Sequence, residues 1–162
     1  MKSEADFIIR LATSADARSL AKLRYEFRST TGIATENETS FLDRCSAWME
    51  ERLRDQSQWK CWVAETSAEL NACLWLQLVE KIPNPRAEAE HHVYLTNFYV
   101  QRSVRGKGVG SKLLNEAISW CKTQDVHAVI LWPTERSRAL YARHGFAVPD
   151  DLMELIIAYP KS

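Results

Sequence analysis

The chain has 162 residues, which suits one domain with a sizeable core, and we expect a single domain over residues 1–162. Hydrophobic residues make up 46% of the chain and charged residues 26%, a balance that argues against an intrinsically disordered protein. The 21 Lys and Arg residues cancel the 21 Asp and Glu residues, so we expect neither nucleic acid nor an anionic membrane as a partner.

The four cysteines are Cys45, Cys61, Cys73 and Cys121, and none forms a Cys-x-x-Cys pair. This spacing is typical of scattered small apolar residues in a reduced setting, and it indicates no metal site. The acidic amino terminus is followed by no long apolar run, so we expect a cytoplasmic protein without a signal peptide or a membrane span.

The first half of the chain alternates between strand and helix patterns. Residues 7–11 predict a first strand, and polar residues 13–16 can cap the helix that follows. A loop over 29–39 precedes a second helix, whose apolar residues recur at three- and four-residue steps: Phe41, Cys45, Trp48, Met49 and Leu53. Strands over 59–65 and 70–80 are close enough in sequence to form an antiparallel hairpin.

A proline-containing loop over 83–90 is expected to be exposed, and it precedes a fourth strand over 92–100. The next helix begins near Val109 and has a strong apolar face. The short apolar strand over 128–132 comes after this crossover helix, which favours parallel pairing with the fourth strand.

The end of the chain predicts one more helix and two closing strands. Thr134 can cap a helix over 135–144, and Gly145 is well placed to end it. Residues 146–148 and 152–159 have the composition of strands.

The segment between Val100 and Leu114 contains glycines at positions 106, 108 and 110, placed between a strand and a helix. Such a loop can expose several backbone N–H groups, and the positive end of the helix dipole points at the same place. We therefore predict a phosphate or pyrophosphate site. The P-loop is excluded because Gly106-Lys107 is followed by glycine, and the dinucleotide fingerprint because Ser111 occupies the position of its third glycine.

The glycine segment resembles a motif of the GCN5-related N-acetyltransferases, Gln/Arg-x-x-Gly-x-Gly/Ala, which Arg105, Gly108 and Gly110 match. A second signature of that family, Leu-Tyr followed by Gly-Phe, is matched by Leu140-Tyr141 and Gly145-Phe146. The resemblance implies an α/β fold in three α-β-α layers. Its central sheet would be single, mixed and mostly antiparallel, with about seven strands and four helices on both faces.

The resemblance also implies acetyl-coenzyme A as cosubstrate. Its pyrophosphate would lie on the N–H groups of seven residues: Arg105, Gly106, Lys107, Gly108, Val109, Gly110 and Ser111. Arg102 or Lys107 would add charge at the rim. The pantetheine arm would pair with the main chain of Phe98, Tyr99 and Val100, where the fifth strand diverges near residues 131–132, and donors there would polarise the thioester carbonyl.

By the same resemblance, Tyr141 is the candidate general acid for the departing thiolate; the alternative is a core residue of an amphipathic helix. Ser137 stands where the family often has a cofactor-binding asparagine. For the base that deprotonates the amine, His92, Glu26, Glu80 and water-mediated transfer remain open.

The resemblance places the acceptor pocket beside Tyr25, Phe27, Trp48 and Tyr94, which favours a small or aromatic amine over a highly cationic one. We expect direct attack on acetyl-coenzyme A in a ternary complex, because no cysteine falls on either motif. The alternatives are a coenzyme-A-binding regulatory module without turnover and a protein N-terminal or lysine acetyltransferase. The expected partners are acetyl-coenzyme A and an amine acceptor, and a homodimer is possible.

Overall fold

The computed structural model describes residues 6–32 and 34–159. Its contacts divide the chain into two compact units, Met1–Trp132 and Pro133–Ser162, which are described separately. Within the described parts of the chain, no helix combines the length and the apolar character that a membrane span requires.

The first unit contains one mixed sheet with helices on both faces. Its elements are β1 (Ile8–Leu11), α1 (Ala17–Thr30), α2 (Glu38–Asp55), β2 (Trp59–Thr66), β3 (Glu69–Glu80), β4 (His91–Val100), α3 (Val109–Thr123) and β5 (Val126–Ile130). The five strands lie in the order β1-β2-β3-β4-β5. The first three pairings are antiparallel and the pairing of β4 with β5 is parallel. The antiparallel pairing of β2 with β3 and the parallel pairing of β4 with β5 are as the sequence predicts.

The predicted hairpin between β2 and β3 turns at two residues that are not glycine. Ser67 has a φ of 50° and Ala68 a φ of 63°, so both adopt the left-handed conformation that a two-residue hairpin requires. Glycine or asparagine would adopt it at lower cost, which is why the turn is not obvious from composition.

Alternate residues of the central strands pack on opposite sides of the sheet, as the pleat requires. Cys61 and Val63 of β2, with Cys73 and Trp75 of β3, belong to the core beneath α1 and α2. On the other face Trp62 meets Trp120 of α3, with ring centroids 5.6 Å apart. The first unit therefore has the three α-β-α layers that the family resemblance implies.

The second unit contains α4 (Arg138–Arg143), preceded by a 3-10 turn over Glu135–Ser137. The Thr134 hydroxyl accepts a hydrogen bond from the backbone N–H of Ser137, and Gly145, with a φ of 89°, follows the helix. The predicted cap and stop are thus confirmed, although the first turn is 3-10 rather than α.

The two predicted closing strands are wrong for the residues that the structure describes. Residues 146–148 and 152–159 have no strand assignment, and apolar side chains such as Met153 and Ile157 are 97% and 83% exposed. Strand composition shows that a segment can pair, but a strand exists only when a ladder partner supplies hydrogen bonds. The sheet consequently has five strands instead of about seven.

Candidate active site

The loop between β4 and α3 is built on two left-handed glycines. A 3-10 turn over Arg102–Val104 leads to Gly106, with a φ of 75°, and Gly108, with a φ of 77°. A Cβ added to either glycine would meet no atom within 4 Å. Glycine is therefore required by the backbone conformation, and open space lies in front of the loop.

The first turn of α3 presents unpaired donors to this open space. Gly108 is the N-cap residue, and no side chain caps the helix. Hydrogen bonding within the helix begins at Lys112, whose N–H donates to the Gly108 carbonyl over 3.0 Å. The N–H groups of residues 109–111 thus have no helical acceptor, and together with the helix dipole they suit a pyrophosphate.

The predicted loop residues divide into backbone donors and side chains with other roles. Val109 is buried in the core, so only its N–H can face a ligand, whereas Lys107 is exposed beside the loop. The Arg105 side chain points towards the end of β4. Its Nε donates to the Val100 carbonyl over 2.8 Å, and its guanidinium lies 5.7 Å from the Tyr99 ring centroid. The Arg105 side chain therefore joins the loop to the end of β4.

Glu26 of α1 holds the same end of β4 in place. One carboxylate oxygen accepts a hydrogen bond from the Tyr99 hydroxyl and the other accepts one from the Gln101 side chain, both over 3.0 Å. Burial and the Glu26 carboxylate raise the pKa of Tyr99. Glu26, one of the candidate bases from the sequence, is thus engaged in supporting the strand.

β4 and β5 separate before β4 ends. Their pairing covers His91 to Tyr94, whereas β4 continues to Val100. Beyond the last pair, Trp132 packs edge-on against Tyr94, with ring centroids 5.3 Å apart. The predicted pantetheine-binding residues, Phe98, Tyr99 and Val100, all lie in the part of β4 that no longer pairs with β5.

An irregularity in β4 lies just before those three residues. The register between β3 and β4 shifts between Cys73 and Trp75, and in the same region Asn97 has a φ of 49°. An extra residue with left-handed backbone re-aims the side chains of a strand. The Asn97 side chain lines a cavity on the side of the sheet that carries α2.

This cavity has a volume of about 420 Å³, which is ordinary for a small-molecule site. Three tryptophans, Trp48, Trp59 and Trp75, form part of its lining, with ring centroids 5.1 to 6.1 Å apart. Tyr94 and Asn97 of β4 line it too. Of the four aromatic residues expected around the acceptor, Trp48 and Tyr94 lie here.

The other two expected aromatic residues are packed elsewhere. Tyr25 contacts Phe41, with centroids 5.6 Å apart, and Phe27 stacks on Tyr99 at 5.0 Å. Neither is part of the cavity lining. Both therefore act as packing residues in this structure.

Among the residues that the structure describes, the charged residues lining the cavity are two arginines, and none is a carboxylate. Arg24 of α1 donates to the Asn97 side-chain oxygen over 3.3 Å, and burial lowers the pKa of its guanidinium. Arg44 is exposed and pairs with Glu36 over 2.5 Å. Sequence reasoning missed Arg24 and Asn97, because a polar residue on a helix face does not reveal which strand residue it meets.

The candidate bases do not line the cavity. His92 packs against His127 with ring centroids 5.3 Å apart, and burial lowers the pKa of its imidazole. Glu80 is exposed at the end of β3. No group of three or more His, Cys, Asp or Glu side chains is placed to hold a metal ion among the residues that the structure describes.

The second unit contains the other two predicted site residues. Tyr141 is buried, and burial raises its pKa to about 12, while its ring lies edge-on to Phe146 with centroids 5.4 Å apart. The Ser137 hydroxyl lies 2.9 Å from the Thr134 N–H and 3.0 Å from the Thr134 carbonyl oxygen. Ser137 thus has a capping role in its own turn.

The mixed sheet, the divergence of β4 from β5 and the glycine loop at a helix start are the features that the family resemblance implies. The model of the acetyltransferase (GNAT) family matches residues 25–146. The chain belongs to this family, whose members transfer an acetyl group from acetyl-coenzyme A, and it is an acyltransferase.

Solved structures share the fold along almost the whole chain. A predicted acetyltransferase from Clostridium acetobutylicum, solved with acetyl-CoA, has a TM-score of 0.78 at 20% identity and covers 94% of this chain and 97% of its own. A GCN5-related N-acetyltransferase from Ralstonia eutropha JMP134 has a TM-score of 0.76 at 23% identity, and the match covers 94% of this chain and 100% of that protein's chain. Glucosamine-6-phosphate N-acetyltransferase from Arabidopsis thaliana has a TM-score of 0.69 at 19% identity, and the match covers 94% of this chain and 99% of that protein's chain. No curated protein matches the sequence significantly.

Proposed function

We propose that this protein transfers the acetyl group of acetyl-coenzyme A to the primary amine of a small acceptor that binds in the cavity beside β4. The observation that carries the proposal is the continuity of β4. Tyr94 and Asn97 line the cavity, the next three residues are those expected to hold the pantetheine arm, and the glycine loop follows. A donor held along this strand and an acceptor in the cavity would meet near Asn97.

The donor site is proposed on the loop and the end of β4. Acetyl-coenzyme A supplies the acetyl group as an activated thioester. The N–H groups of residues 109–111 and the loop backbone around Gly106 and Gly108 would hold its pyrophosphate, and Lys107 would add charge at the rim. The main chain of Phe98, Tyr99 and Val100 would align the acyl arm, and Arg105 would hold this strand end and the loop together.

The acceptor would attack as a neutral amine. The cavity lining contains the Arg24 and Arg44 cations and no carboxylate, so an ammonium ion would be disfavoured there. The proton would pass to water before or during binding, which explains how the reaction can proceed without a dedicated carboxylate base.

Direct transfer is favoured over a covalent acetyl-enzyme. Cys45 is the cysteine in the cavity lining, and burial raises the pKa of its thiol. A thiol that stays protonated near neutral pH is a poor nucleophile. The reaction therefore fits a ternary complex in which the amine attacks the thioester without a protein intermediate.

Tyr141 is proposed to donate a proton to the departing thiolate, a role that rests on its position in the family's second motif. Its phenol has a pKa of about 12, so it carries a proton at every physiological pH. The family match extends from residue 25 to residue 146 and so includes parts of both units, which supports our proposal that they act as one acetyltransferase domain.

Calorimetric titration with acetyl-coenzyme A and, separately, with ATP tests the donor site. We expect micromolar or tighter binding of acetyl-coenzyme A; binding of ATP without binding of acetyl-coenzyme A would refute the proposal. A thiol-release assay over a panel of amines then separates an enzyme from a regulatory module, since a module would show only slow hydrolysis that no amine accelerates.

A further inference from the structure

Arg24 is a half-buried cation without an anionic partner among the residues that the structure describes. Burial lowers the pKa of its guanidinium, and the positive charge of Arg28 lowers it further. Among the described residues Arg24 donates a 3.3 Å hydrogen bond to the Asn97 amide oxygen, and its guanidinium lies 6.0 Å from the Phe27 ring centroid; both partners are neutral. An arginine has five N–H donors, so most of its hydrogen-bonding capacity in the cavity is unused.

Glu26 lies two positions after Arg24 in the sequence, and its carboxylate has other partners, as has that of Glu36. Both oxygens of Glu26 accept hydrogen bonds at the end of β4, and Glu36 pairs with Arg44. Because an unpaired buried charge costs free energy, an anion entering the cavity would gain a strong partner at Arg24.

The rest of the lining suits a flat apolar group. Trp48, Trp59 and Trp75 pack against one another around the cavity, and the Trp75 side chain is 1% exposed. Donors and aromatic faces without an acidic group are suited to an amphipathic anion and not to a cation.

We propose that the acceptor is an α-amino acid with an aromatic or large apolar side chain, whose carboxylate binds Arg24 and whose side chain packs among the three tryptophans. The inference rests on the proposed acetyl transfer and names its substrate class. Arg24 contacts Asn97, the residue directly before the proposed acyl-binding segment of β4. The anionic group must therefore lie close to the reacting amine, and in an α-amino acid only one carbon separates the two.

The test compares acceptors that differ in one group, with kcat/KM for thiol release as the readout. Tryptophan is compared with tryptamine and tryptophan amide, and phenylalanine with phenethylamine and phenylalanine amide, none of which has the carboxylate. We expect the wild-type protein to prefer the acids by about 10- to 100-fold, the effect of one charge-assisted contact in a desolvated site. The Arg24→Met variant should lose that preference, mainly through a higher KM for the acids.

Arg18→Met is the matched control, since Arg18 lies on the same helix but is exposed and pairs with Asp43. This variant should keep the preference for the acids. If Arg24→Met does not fold, the wild-type comparison and Arg24→Lys decide: lysine retains the charge and should retain part of the preference.

Three outcomes would overturn the inference while leaving the proposed donor site intact, provided that acetyl-coenzyme A still binds. These are equal or faster acetylation of the analogues that lack the carboxylate, an unchanged preference in Arg24→Met, and faster acetylation of phosphoethanolamine than of any amino acid. Absence of acetyl-coenzyme A binding would instead refute the proposed function itself.

Discussion

The Nε atom of Arg105 donates a 2.8 Å hydrogen bond to the carbonyl oxygen of Val100. The Arg105 side chain thereby links the glycine loop to the last residue of β4. The guanidinium also lies over the Tyr99 ring, 5.7 Å from its centroid. The two parts of the proposed donor site, strand end and loop, are therefore positioned by one side chain.

Replacing Arg105 by methionine should weaken acetyl-coenzyme A binding about tenfold or more, because the loop would lose a charge-assisted hydrogen bond and a cation–π contact. Isothermal titration measures the change. Arg54→Met is the control, since Arg54 is exposed on α2 and pairs with Glu50, and it should leave the affinity unaltered. Equal affinity in the Arg105 variant and wild type would show that the contact has no positioning role.

Gly108→Ala should reduce both the affinity for acetyl-coenzyme A and the stability of the protein. The added Cβ meets no neighbour, so the cost is the left-handed backbone, about 1–2 kcal/mol of unfolding free energy. Relief of that strain would move the N–H groups of residues 109–111, and losing one charge-assisted hydrogen bond corresponds to about tenfold or more in Kd.

Gly32→Ala provides the comparison, because Gly32 has a φ of 71° and equally open surroundings but lies after α1. Urea unfolding should show a similar stability loss for both variants, and titration should show an affinity loss for Gly108→Ala alone. Parallel losses of affinity in both variants would indicate a general effect of destabilisation.

Cys45→Ala should retain activity within about threefold of wild type, since a thiol with a raised pKa is not expected to form an acetyl-enzyme. The assay is steady-state thiol release, supported by mass spectrometry of the protein after incubation with acetyl-coenzyme A alone. A stable mass increase of one acetyl group on Cys45, together with loss of turnover in the variant, would establish a covalent route instead.

Tyr141→Phe should lower kcat by about 10- to 100-fold and leave the Kd for acetyl-coenzyme A unchanged, because the phenol is proposed to act on the leaving thiolate. Since the pKa of Tyr141 is about 12, the phenol stays protonated from about pH 6 to pH 9 and the effect should be constant there. In both proteins kcat/KM should rise with pH as the acceptor ammonium loses its proton. A loss that appears only at one end of this range would assign Tyr141 a different role.

Local patterns predict most of the elements because they depend on neighbouring residues. The helix face that begins at Val109, the stop at Gly145 and the parallel pairing of β5 all follow from spacing and capping. The glycine motif also predicts a loop between β4 and α3, and in that loop Gly106 and Gly108 have left-handed backbone.

Features that depend on contacts between distant segments could not be predicted in this way. The contact between Arg24 and Asn97 joins residues 73 positions apart. The orientation of the Arg105 side chain depends on the position of the Val100 carbonyl at the end of β4. Composition also predicts a strand over 152–159 that the structure does not contain. The apolar composition of this segment permits a strand, but it does not show whether another strand is available to pair with it.

The most direct test of the account is to incubate the protein with acetyl-coenzyme A and a panel of amines and to measure free thiol and acetylated product together. We expect thiol release that depends on the amine, with one N-acetylated product formed per thiol. Thiol release at the same slow rate with every amine, and no acetylated product, would contradict acetyl transfer to a small amine.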